Sequence, residues 1–100
     1  MLYITAFLFV KEGKEHIFQE YENLVLPLLK KYNGELIYRV RPKSEAYIFS
    51  NDEKPYEIHL LTFPSDIDFK NYVNDEERKS FEQLKIQAIK TSFLVKETQL

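Results

Sequence analysis

Two ionisable residues stand two apart in the stretch EIHLLTF: Glu57 and His59. Side chains alternate along an extended strand, so both point the same way. Arg39 and Arg41 repeat the spacing in ELIYRVR, and alternation places all four on one face. Such a group can move a proton. His59 is the candidate base, Glu57 the residue that orients its ring, and Arg39 a cation that holds an anionic oxygen, with Arg41 a candidate ligand-binding residue. The same four residues also fit a satisfied ion network at a dimer interface, because buried charges need partners.

Tyr38 and Tyr72 are further candidate ligand-binding residues, since a phenol can polarise a carbonyl; each also fits an ordinary amphipathic core position. A metal site is not expected. The chain has two histidines and no cysteine, and His16, beside Glu12 and Glu15, reads as a surface residue. No cofactor is expected either. Arg78, Lys79, Lys85 and Lys90 read as the solvated side of a helix.

The elements that must position these residues follow from periodicity. Leu2 to Val10 alternates as a strand with both faces apolar, which predicts a central position. A helix is expected from about residue 14 to Tyr32, with Ile17, Phe18, Tyr21, Leu24, Val25, Leu28 and Leu29 on one stripe and Glu22 mostly off it. Pro27 must kink or split it. Asn33-Gly34 stops it, with Gly34 expected in the left-handed cap. Glu35 to Arg41 is the second strand. Ala46 to Phe49 reads as an extended run, and the polar turn after it predicts a hairpin into the third strand, Pro55 to Phe63. Ser65 and Asp68 have N-cap spacing, as do Asn74 and Glu77, so two helices are expected, the second running to about Ile89. Thr91 to Glu97 is the last strand.

Composition bounds the class. One hundred residues make one domain, residues 1–100. A net charge of −2 without a basic stripe argues against a nucleic-acid partner. The longest apolar run, LYITAFLFV, is far shorter than the about 20 residues a membrane span needs. The expectation is a soluble, cytoplasmic protein with no membrane partner.

The order strand, helix, strand, strand, helix, strand specifies an α+β, ferredoxin-like βαββαβ fold: a four-stranded antiparallel sheet with helices on one face. Alternation puts Ile4, Ala6, Leu8, Leu36, Tyr38, Val40, Ile58 and Leu60 beneath the helices. Tyr3, Phe7, Phe9, Ile37, Leu61, Phe63 and Phe93 are left on the other face. An apolar patch of that size marks an interface, and a homodimer through the exposed sheet face covers it.

The segments FPSDIDFKNYVNDEER, KTSFLV and LPLLKKYNGELIYR resemble the small bacterial proteins called domain of unknown function 1330, of the dimeric α/β-barrel superfamily. Asn33-Gly34 stands where paired glycines are usual. The resemblance covers nearly the whole chain and implies a dimer whose sheets face each other in a barrel. Relatives of that superfamily include cofactor-independent monooxygenases, muconolactone isomerases and proteins without known activity, so no active site transfers. Two functions follow as expectations. One is a cofactor-independent protein that binds or transforms a small hydrophobic metabolite; the other is a non-catalytic structural or ligand-binding homodimer. An RNA-binding module of the same strand order needs a basic, glycine-rich third strand, which EIHLLTF is not.

Overall fold

In the computed structural model, which describes residues 1–98, β1 (Leu2–Val10) and β3 (Glu57–Phe63) form the middle of an antiparallel sheet of order β2-β3-β1-β4. The edges are β2 (Glu35–Val40) and β4 (Ile89–Thr98). The helices are α1 (Glu15–Val25), α2 (Asp66–Val73), α3 (Glu76–Lys79) and α4 (Glu82–Ala88). This is the expected ferredoxin-like βαββαβ order. The expected closure into a barrel is not found: the sheet is open and ends at β2 and β4.

The face assignment of two strands is also corrected. Ile4 lies opposite Leu61, Ala6 opposite His59 and Leu8 opposite Glu57. Directly opposed residues share a face, so Glu57, His59, Leu61 and Phe63 lie under the helices with the even positions of β1. Ile58 and Leu60 lie on the open face instead. In β2 a register shift between Leu36 and Tyr38 inverts the alternation. Leu36 packs against the core while Tyr38 and Val40 stand on the open face, 64% and 47% exposed. Arg39 pairs with His59 and faces the helices.

Pro27 splits the first helix. α1 gives way at Leu26 to a 3₁₀ segment, Leu26–Tyr32, whose second residue is the proline. A proline near the start of a turn gives up a donor that has no intrahelical partner there. The left-handed cap falls on Asn33 (φ 59°), not on Gly34. Gly34 is needed for another reason: a Cβ there would lie 2.6 Å from Cε1 of the fully buried Phe63. Ser65 caps α2 as its spacing predicts, its hydroxyl accepting from the Asp68 amide at 3.2 Å. The next cap is Asp75, one residue later than expected, accepting from the Arg78 amide at 2.8 Å. The expected helix to Ile89 is interrupted at Ser80–Phe81 and yields to β4 at Ile89.

Residues 46–49 do not form a hairpin strand. The segment between β2 and β3 carries only a short 3₁₀ turn, Ser44–Ala46, and Ile48 and Phe49 stand in solvent. The core forms two clusters on the helix side of the sheet. Leu2, Ile4, Leu28, Leu29, Leu61, Phe63 and Tyr72 make one; Ala6, Leu8, Phe18 and Ala88 make the other. Glu57 and His59 are buried among them.

Candidate functional site

β3 delivers Glu57 and His59 to the helix side of the sheet, and β2 and α1 supply what surrounds them. The Glu57 carboxylate is wholly shielded from solvent. Arg39 Nε donates to its Oε2 at 2.6 Å, and Arg41 Nε donates to Oε1 at 2.6 Å. His59 Nε2 also bonds Oε2. Gln19, from α1, accepts from Nη2 of both arginines and ties them to the helix layer. Burial pushes the Glu57 carboxyl up, but the hydrogen bonds from His59, Arg39 and Arg41 outweigh it and hold the group down at about 2. An ionised carboxylate only accepts, so His59 Nε2 carries the hydrogen and Nδ1 is left for another partner.

His59 also lines a cavity of ≈ 170 Å³ between the sheet and the helices. Its floor is Ile4, Ala6, Leu8 and Leu61; α1 contributes Tyr21, Glu22 and Val25, and the segment from α2 to α4 adds Tyr72, Arg78 and Lys85. Ser92 and Leu94 of the edge strand complete it, and Leu94 is half exposed, so the cavity opens along β4. The Tyr72 hydroxyl is spent on the chain, donating to the Val25 carbonyl at 3.2 Å. The Tyr21 phenol is pushed up to about 12, chiefly by burial.

Glu22 is the residue the periodicity passed over. It is 5% exposed and no hydrogen bond or ion pair holds its carboxyl among the described residues. Burial raises that carboxyl above its usual range, against the opposing pull of His59. A signal was present: Phe18, Glu22, Val25 and Leu29 follow one another at four-, three- and four-residue steps, all on the buried stripe. Arg78, expected on a solvated face, borders the cavity, its guanidinium 4.9 Å from the centre of the Tyr72 ring.

The structure thus brings together Glu57, His59, Arg39 and Arg41, and places Tyr72 in the wall of the adjoining cavity. It separates Tyr38, which lies on the opposite side of the sheet. A further buried carboxylate, Asp75, accepts from Tyr32 and pairs with Lys31 at 2.7 Å, joining the 3₁₀ segment to α3. Those contacts hold its carboxyl well below the usual range. Among the described residues no three of His, Cys, Asp and Glu gather as a metal site, and no helix is long and apolar enough to cross a membrane.

Solved structures share this fold. A protein of unknown function from Rhodopseudomonas palustris superposes with a TM-score of 0.82 at 13% identity, over 99% of this chain and 82% of that one. A dimeric protein of unknown function with a ferredoxin-like fold, from Bacteroides fragilis, gives 0.69 at 11% identity over 96% and 93%. A dabb family protein from Mesorhizobium loti gives 0.71 at 8% identity over 99% and 96%. At these identities the likeness shows the fold, that of small ferredoxin-like α/β proteins. No protein-family model matches the chain, and no curated protein matches it. The resemblance to domain of unknown function 1330 is therefore supported only at the level of the shared fold.

Proposed function

We propose that this chain is a small-molecule-binding protein that works as a homodimer. The cavity beneath the helices carries the reading: an apolar enclosure with a few convergent polar groups, open along β4, is the common form of a ligand site. In this reading Glu57, Arg39 and Arg41 are positioning residues. They hold His59 with one nitrogen occupied and the ring against the ligand. Tyr72 supplies a flat wall. NMR of the labelled protein with a fragment set tests it. Shifts should gather on Ile4, Ala6, His59 and Ser92; shifts scattered over the open face, or none, would overturn it.

The dimer rests on the other side of the sheet. Phe93 and Val95 join Tyr38 and Val40 there, 60% and 44% exposed, beside Phe7, Ile58 and Leu60 of the central strands. A contiguous aromatic and aliphatic surface of this kind is covered by a partner more often than by water. The Bacteroides fragilis protein of this fold is described as dimeric. Sedimentation should give twice the 12.0 kDa chain mass, and a Phe93→Glu variant should sediment at 12.0 kDa. A wild-type chain that stays at 12.0 kDa at millimolar concentration would contradict this part.

A second reading, in which His59 is a general base, is favoured by one observation: Glu57 engages Nε2, so that in the neutral ring Nδ1 is the acceptor. A His59→Gln variant that dimerises and binds the ligand but turns nothing over would support catalysis. One with undiminished turnover would remove it.

A further inference from the structure

The polar lining of the cavity is unbalanced in one direction. Arg78 and Lys85 bring positive charge to it, and Glu22 is the one carboxyl among its described lining residues. Arg78 does not pair with Glu22 or with any other carboxylate among the described residues. Its Nη1 reaches the Val73 carbonyl at 3.4 Å, while its Nε is buried with no hydrogen-bond partner. A buried guanidinium N–H without an acceptor is costly, and such groups are rare unless a ligand or an ion satisfies them. Glu22 lines the same space: it is 5% exposed, and no hydrogen bond or ion pair holds its carboxyl among the described residues. Two polar side chains without an ion-pair partner among the described residues, one from α1 and one from α3, thus border one cavity.

Resting on the reading above, we propose that the cavity takes a single-ring organic anion whose acidic oxygen accepts from Arg78 Nε. The ring would lie among Ile4, Leu61 and Leu94, with the Tyr72 face alongside. Size agrees. A cavity of about 150 Å³ is enough for a benzene ring, and this one measures ≈ 170 Å³ with an opening along β4. Charge agrees as well. Burial raises the Glu22 carboxyl above its usual range, and in its protonated form that carboxyl offers the anion a donor in place of a repelling charge.

Benzoate and benzyl alcohol test this, since they match in ring and differ in charge. Calorimetric or NMR titration of the intact chain should show benzoate binding about tenfold to a hundredfold more tightly, as a charge-assisted hydrogen bond supplies. An Arg78→Gln variant should bring benzoate down to the level of benzyl alcohol and leave benzyl alcohol unchanged. Arg78→Lys, which keeps the charge but not the Nε–H, should restore only part of the difference. If both probes bind the cavity equally, or if Arg78→Gln does not move benzoate, the anion assignment falls while the small-molecule reading stands. If neither probe binds, both fall. Should Arg78→Gln fail to fold, the wild-type comparison of the two probes decides alone.

Discussion

Glu57 and Glu22 are both carboxyls withdrawn from solvent on the same side of one sheet, yet their surroundings push them in opposite directions. Glu57 is met by two guanidinium groups and an imidazole, and it stays ionised. Glu22, on α1, is met by none, and burial raises its carboxyl. The difference teaches that depth alone does not set a role. A carboxylate that accepts from three side chains and is wholly shielded from solvent serves as a joint between β2, β3 and α1. An unsaturated one is available to whatever enters the cavity.

Substitutions should separate the two in a definite order. Glu57→Ala leaves Arg39, Arg41 and His59 without their common acceptor, and it should cost about 3–5 kcal/mol in urea denaturation. Arg39→Gln comes next. Arg39 is the more buried of the two arginines and lies opposite His59, so losing it should cost about 1.5–3 kcal/mol. Arg41 is nearly half exposed, and Arg41→Gln should cost less than about 1 kcal/mol. Glu22→Gln exchanges one neutral buried group for another and should stay within about 1 kcal/mol at low pH. A Glu22→Gln loss as large as that of Glu57→Ala would mean that Glu22 is also a structural joint.

Acidity sharpens the contrast because the two groups act with opposite sign. Glu57 has a folded value of about 2 against an ordinary 4.5. Its stabilisation is present above 4.5 and is lost as pH falls from there toward 2. Glu22 is raised above 4.5. Its contribution is present in full below 4.5 and is lost as pH rises through its folded value. Denaturation midpoints across pH should therefore show the acid-side loss in both the wild type and Glu22→Gln. The decline above 4.5 that Glu22 causes should be missing from the variant.

The sequence carried the element order because its periods are clean: nine alternating residues in β1, and a stripe of three- and four-residue steps in α1. The i, i+2 spacing also singled out Glu57, His59, Arg39 and Arg41, which meet at the Glu57 carboxylate. Which side of the sheet they occupy was not legible. In β3 both alternations are apolar, Ile58 and Leu60 against Leu61 and Phe63, so the pattern does not choose between them. In β2 a one-residue irregularity reverses the faces after Leu36, and no glycine or proline marks it. Glu22 was hidden by its type, since a glutamate on a helix is normally solvated. Arg78 was hidden because it stands in the charged run EERK, which reads as a solvated face.

Carbon-13 spectra of the glutamate carboxyl groups, followed against pH in the wild-type protein, put both residues in one experiment. The Glu57 resonance should titrate far below 4.5, near 2, and ignore added benzoate. The Glu22 resonance should titrate above 4.5 and move when benzoate is added. Two ordinary midpoints near 4.5, or a benzoate response at Glu57 in place of Glu22, would contradict the account.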